Sequence, residues 1–184
     1  MKGVQGWQVA LLALALVTGV GMTFVVPSEE NGEKKAKDPM EVEAGFSGSV
    51  PQKYTCDGQN ISPPVSFSRL PDGTETVALI MDDPDAPTRV FDHWVAWNIT
   101  SKSIPEGLPA RKKLQNGIVQ GTNDFDDTGY SGPCPPTGTH TYRIRAFALD
   151  TRLELRPGAT GEELESAIEG HVIASDVARH EYPG

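Results

Sequence analysis

Cations are scarce in this chain of 184 residues: 16 Lys and Arg stand against 25 Asp and Glu, a formal charge of −9. Nucleic-acid binding is driven by Lys and Arg neutralising phosphates, so this acidic body is set aside as a partner of DNA or RNA. Two cysteines are too few for the disulfide-dense scaffolds of small secreted domains. Internal repeats and apolar heptads are missing, which removes solenoids and coiled coils. What is plentiful is Gly and Pro, 19 and 15 residues. That many chain-turning residues in one domain's length of chain point to a turn-rich, mainly β architecture.

Charge is absent altogether between Lys2 and Glu29. Within that gap Trp7–Val26 reads WQVALLALALVTGVGMTFVV, matching the ~20 apolar residues that cross a bilayer core. A cleaved export signal has a shorter apolar stretch and small residues at its cleavage site, whereas here Val25-Val26-Pro27 follows. Residues 1–28 therefore read as an N-terminal signal anchor, a transmembrane helix holding the domain outside the cytoplasm at a membrane. Cleavage would instead leave a secreted protein. Residues 29–41 mix charges of both signs with almost no large apolar side chains, and are expected to be a disordered linker. The domain itself is placed at 42–184.

Within it, Thr76–Met81 (TVALIM) is an apolar run between turn residues, the pattern of a strand buried on both faces. His93–Thr100 and Thr141–Leu149 are rich in β-branched and aromatic residues and read as two further strands. Thr160-Gly-Glu-Glu163 matches a capping box. Leu164, Ala167, Ile168, His171 and Val172 follow at helical spacing, so a helix through Val172 is expected to pack on the sheet.

Three segments carry more special residues than a plain β domain needs: Asp82-Asp-Pro-Asp-Ala-Pro87, His93-Trp-Val-Ala-Trp-Asn98, and Gly129 to Tyr142 (GYSGPCPPTGTHTY). With Tyr54-Thr-Cys-Asp-Gly58 and Ser62-Pro-Pro64, their order and spacing resemble the phosphatidylethanolamine-binding protein family, also called Raf-kinase-inhibitor-like proteins, in its bacterial and archaeal form. The resemblance covers roughly residues 42–182. It implies a β-sandwich with few peripheral helices and a small anion-binding pocket at one end. Carried over by motif, that pocket is lined by Asp83, Asp85, Pro87, His93, Gly132, Pro133, His140 and Tyr142. It further implies a phosphate-bearing small molecule or lipid head group as ligand, a kinase or serine protease as protein partner, and no cofactor or catalysis.

The residues themselves leave alternatives open. Asp-Pro-Asp-Ala-Pro is a rigid turn that needs no function to explain it. His93 shares strand parity with Val95, Trp97 and Ile99, as a core-edge histidine would. A small hydrolase would use His93 or His140 to activate Ser131 or Cys134, although no G-x-S-x-G elbow is present. Asp83, Asp85, His93 and His140 are the right types for a metal but lack ligand spacing. Cys56 and Cys134 are a candidate disulfide pair. Asn98-Ile-Thr100 matches a glycosylation sequon inside a strand.

Overall fold

The run Thr76-Val-Ala-Leu-Ile-Met-Asp-Asp83 is buried at every position, because it is the middle strand of the larger of two sheets and is covered on both faces. The computed structural model describes residues 40–184. Its strands are β1 (Glu41–Ala44), β2 (Val65–Ser68), β3 (Thr76–Asp83), β4 (Phe91–Ile99), β5 (Ser103–Ile104), β6 (Val119–Gln120), β7 (Thr139–Leu149) and β8 (Val172–Pro183). One α-helix, α1 (Gly161–Ile168), and a 3-10 turn at Gln52–Tyr54 complete the list. The strands form a five-stranded sheet, β6-β4-β3-β7-β8, and a three-stranded sheet, β1-β2-β5. All pairings are antiparallel.

Side-chain alternation gives β3 two apolar faces. Val77, Leu79 and Met81 join Val42, Val65, Phe67, Trp94 and Ile144 between the sheets, whereas Ala78 and Ile80 join Val95, Trp97, Leu149, Leu164 and Ile168 beneath α1. The mainly β sandwich with few helices is therefore the fold of this chain, with one α-helix closing the second core.

Two expectations need correction. The helix begins where its capping box predicts, with Thr160 accepting from the Glu163 N–H. It stops at Ile168, however, because Gly170 turns the backbone left-handed at φ +79°. His171 lies beyond the helix, and Val172 opens β8, the longest strand. The membrane assignment is also corrected: among the described residues no helix is long and apolar enough to cross a bilayer. The stretch 7–26 and residues 29–39 of the expected linker 29–41 lie outside the described residues, so no single-helix anchor is supported, while Met40 is buried and Glu41 already opens β1.

Candidate functional site

Asp83 pairs with Phe91 of β4, and Asp82 pairs with Arg143 of β7. The end of β3 is thus flanked by the beginnings of both neighbouring strands. Between the pairs Met81–Trp94 and Asp82–Asp92, His93 is one residue too many. Such a β-bulge re-aims a side chain. Strict alternation would place His93 beside Val95 and Trp97 under the helix. Instead its ring stands 5.2 Å from that of Tyr142, with Phe91 and Phe125 each at 5.4 Å. A second irregularity, between Val77 and Leu79 of the partner strand, leaves Ile99 in the inter-sheet core. There Asn98 adopts φ +57°, donates to Leu153 O at 3.0 Å and accepts from Leu153 N at 2.9 Å. The sequon asparagine is 4% exposed and fully engaged, which rules against its modification in the folded chain.

The imidazoles are each fixed at one edge. His93 Nδ1 lies 2.7 Å from the Ser131 carbonyl and His140 Nδ1 lies 2.7 Å from Asp83 Oδ2. A carbonyl and a carboxylate can only accept, so both Nδ1 atoms carry the proton. The neutral rings then present Nε2 as an acceptor. Only an imidazolium donates from Nε2, so binding an anion there requires taking up a proton.

Asp83 also accepts from the Asp85 N–H at 2.8 Å, and Asp85 Oδ2 accepts from the Thr141 N–H at 2.8 Å. The Thr141 contacts hold the Asp85 carboxyl below its usual range. This turn thereby clasps the start of β7 and seats His140. On the opposite side, the loop supplying Ser131 is organised by Asn123. Its amide donates to Gly129 O and Ser131 Oγ while its Oδ1 accepts from Phe125 N and Asp127 N. Gly132 donates to Asn60 Oδ1 at 2.7 Å and lies so close to Tyr54 that a Cβ would stand 2.0 Å from the Tyr54 carbonyl oxygen. Cys56 donates its N–H to Pro133 O at 3.1 Å, and Cys56 and Cys134 form a disulfide.

Burial pushes the His93 pKa down, opposed by the Ser131 carbonyl and the Asp83 charge. Burial, with Asp83 nearby, pushes Tyr142 up. The Tyr142 hydroxyl is buried without a partner in hydrogen-bond geometry, although the Cys134 backbone is near enough to act on it.

Asp92, beside the bulge, points the other way, toward Gly161 at the start of α1. Burial, followed by the charges of Asp124 and Asp82, raises its pKa to about 6. A carboxyl raised from its ordinary 3.8 contributes stability at low pH that is lost as pH rises through about 6. Asp92→Asn should therefore leave stability unchanged near pH 4 and raise it by about 1–2 kcal/mol at pH 8, below the unscreened value because the group is partly exposed. Urea unfolding at both pH values measures this, and no gain at pH 8 would refute it.

Of the residues singled out from sequence, Asp83, Asp85, His93, His140 and Tyr142 are joined at one end of the sheet by these contacts. Gly132 and Pro133 belong to the loop that carries the His93 acceptor. Pro87 is exposed in the loop before β4 and makes none of these contacts. Asn123, Asp127 and Phe125 were not anticipated, and their only signal was the turn-rich composition of 121–129. Among the described residues no group of three or more His, Cys, Asp or Glu side chains is placed to hold a metal ion.

The chain as a whole is similar to known proteins. The family model described as phosphatidylethanolamine-binding protein matches residues 43–182. A UPF0098 protein of Methanothermobacter thermautotrophicus is 51% identical over 128 residues, 68% of this chain and 85% of the relative. One from Pyrococcus horikoshii is 43% identical over 167 residues, 88% and 82% of the two chains. A candidate phosphatidylethanolamine-binding protein homologue from Chlamydia trachomatis superposes with a TM-score of 0.73 at 35% identity, covering 79% of this chain and 98% of the other. Escherichia coli YBCL, a member of the mammalian family, gives 0.71 at 30% identity with the same coverage.

Proposed function

The chain belongs to the phosphatidylethanolamine-binding protein family, in its bacterial and archaeal branch, and on that premise we propose that it is a non-catalytic receptor for the phosphate group of a small molecule or lipid head group. The observation that carries this reading is the matched pair of imidazoles, each with Nδ1 held by an acceptor and Nε2 left for a ligand. Asp83 Oδ2 holds His140 Nδ1 at 2.7 Å, and the Asp83 charge favours the protonated form of His93 against burial. The orphan Tyr142 hydroxyl is a third donor.

The hydrolase alternative finds little support in the same geometry. Ser131 Oγ lies 3.1 Å from Asp127 Oδ2 and 3.0 Å from Asn123 Nδ2, and His93 meets the Ser131 carbonyl rather than its hydroxyl. Cys134 is in a disulfide. Neither candidate nucleophile has an imidazole base.

Because the anion must draw a proton onto Nε2, and burial holds the free His93 below its ordinary range, affinity for phosphoethanolamine should rise as pH falls from 8 toward and below the ordinary imidazole value of ~6.5. It should level off where the ligand's own dianion is lost, near ~6. His93→Ala should weaken binding by about 1.5–3 kcal/mol, the range for hydrogen bonds to charged groups, and flatten the pH profile. Calorimetric titration of the full-length protein and the variant from pH 5 to 8 tests both. Equal affinities at every pH would remove His93 from the site.

A further inference from the structure

The segment 107–123 contains no Asp or Glu, yet three consecutive cations, Arg111, Lys112 and Lys113, lie within it. In a chain of net charge −9 such a run is out of keeping with its surroundings. All three residues are exposed. Among the described residues, none of their side chains makes a hydrogen bond or ion pair, whereas Lys53, Arg69, Arg89, Arg143, Arg145 and Arg156 all have acidic partners.

These cations are also held in place. Leu114 N donates to Ile118 O and Gly117 N to Leu114 O, closing a tight hairpin in which Lys113 bridges Val119. Gln120, 1% exposed, fastens the segment from below. Its amide donates to the carbonyls of Pro109 and Arg111 at 2.9 Å each, and its N–H donates to Lys112 O at 2.9 Å. Trp94 Nε1 donates to Gln120 Oε1 at 3.0 Å, tying the support to the core. The Lys112 stem lies across Gly158, and Arg152 reaches the Gly117 carbonyl, adding a fourth cation at the turn. A backbone fixed by a buried amide pre-pays the ordering that binding would otherwise require.

Beside the cations is a hollow of about 460 Å³ lined by Leu108, Pro109, Leu114, Arg111, Lys113 and the Gln115 and Asn116 amides. A hollow lined by both apolar residues and cations fits an apolar side chain flanked by carboxylates. We propose that this hairpin is a docking surface for an acidic peptide segment of a partner protein, with one apolar residue in the hollow and acidic neighbours on Arg111 and Lys113. Charge complementarity favours a short peptide over longer polyanions, because the rest of an acidic surface repels a long polyanion and four cations cover only a short stretch. A lipid surface is disfavoured because the large exposed apolar residues Val90, Phe125, Val172 and Ile173 all lie outside this segment. The surface is built from the loop joining β5 to β6, and none of its lining residues belongs to the histidine site.

The test is fluorescence anisotropy of the full-length protein with a fluorescein-labelled twelve-residue peptide of Glu with a central Leu. The controls are the same peptide with Gln for Glu, vesicles of phosphatidylserine and phosphatidylcholine, and a single-stranded oligonucleotide. Wild type should bind the acidic peptide and not the Gln peptide, and should lose at least tenfold in affinity at high salt. The triple variant Arg111→Ser, Lys112→Ser, Lys113→Ser should lose at least tenfold, and His93→Ala should bind unchanged. Leu114→Gln separates the hollow from the charges and should weaken binding with the salt response retained. Absence of peptide binding by wild type, equal affinity in the triple variant, or tighter binding of vesicles or oligonucleotide would each overturn the proposal.

Discussion

Asp82→Ala should destabilise the domain by about 3–5 kcal/mol, the range for removing one partner of a buried ion pair. Asp82 is completely buried. Its Oδ1 accepts from Arg143 Nε at 2.6 Å and its Oδ2 from Arg143 Nη2 at 3.1 Å. Arg145 Nε lies 2.6 Å from Oδ2 but off the hydrogen-bond direction, so it acts there as charge, while its Nη1 donates to Glu165 at 2.6 Å. The two arginines come from β7, in register with Asp82 and Ile80. Deleting the carboxylate leaves two partly buried guanidinium groups facing each other, and mutual repulsion adds to lost hydrogen bonding. Urea unfolding at pH 7 measures the change. A loss under 1 kcal/mol would show that solvent, not Asp82, balances those arginines.

The double variant Cys56→Ser, Cys134→Ser should lose about 2–5 kcal/mol. The bridged residues are 78 apart in sequence, and loop-closure entropy alone sets a value of about 4.5 kcal/mol for a loop of that size. The docking contacts of the loop, Gly132 N to Asn60 and Cys56 N to Pro133 O, remain, so the variant should fold and keep its sheet spectrum. Its affinity for phosphoethanolamine should fall as well, because the same loop carries the Ser131 carbonyl that fixes His93. Denaturant unfolding with and without a dithiol reductant is the measurement, accompanied by thiol labelling of the denatured, unreduced protein. Two free thiols, or identical unfolding curves, would reject the bridge.

The parts of this fold that were legible are those where local chemistry and tertiary environment agree. β3 is apolar throughout because both faces are covered, and the capping box marks the start of α1. β8 was hidden because Val172, Ile173 and Val177 continue no clean alternation and Val172 extends the helical spacing of Leu164 and Ile168. Only the conformation of Gly170 separates the two readings, and a glycine in sequence does not announce the sign of its φ. The candidate residues were found by motif, but the face of His93 was misread because a bulge leaves no mark in strand periodicity. Its hydrogen-bond partner was out of reach for a simpler reason: every residue has a carbonyl, so nothing in Ser131 distinguishes its oxygen. Asp82 went unnoticed beside Asp83 although the two acids point to opposite faces, one to arginines and one to a histidine.

The extra residue in β4 leaves the alternation of the two cores intact. Trp94 and Ala96 face the inter-sheet core, and Val95 and Trp97 the helix-side core, whether or not His93 is inserted before them. Excising that one residue would remove the bulge at the start of β4, with the irregularity between Val77 and Leu79 remaining, and leave both cores their side chains. What would be lost is the tie to the neighbouring loop: the His93 carbonyl accepts from Ser131 N at 2.9 Å and its ring from the other side holds the Ser131 carbonyl at 2.7 Å, so one inserted residue fastens the loop through both its backbone and its side chain.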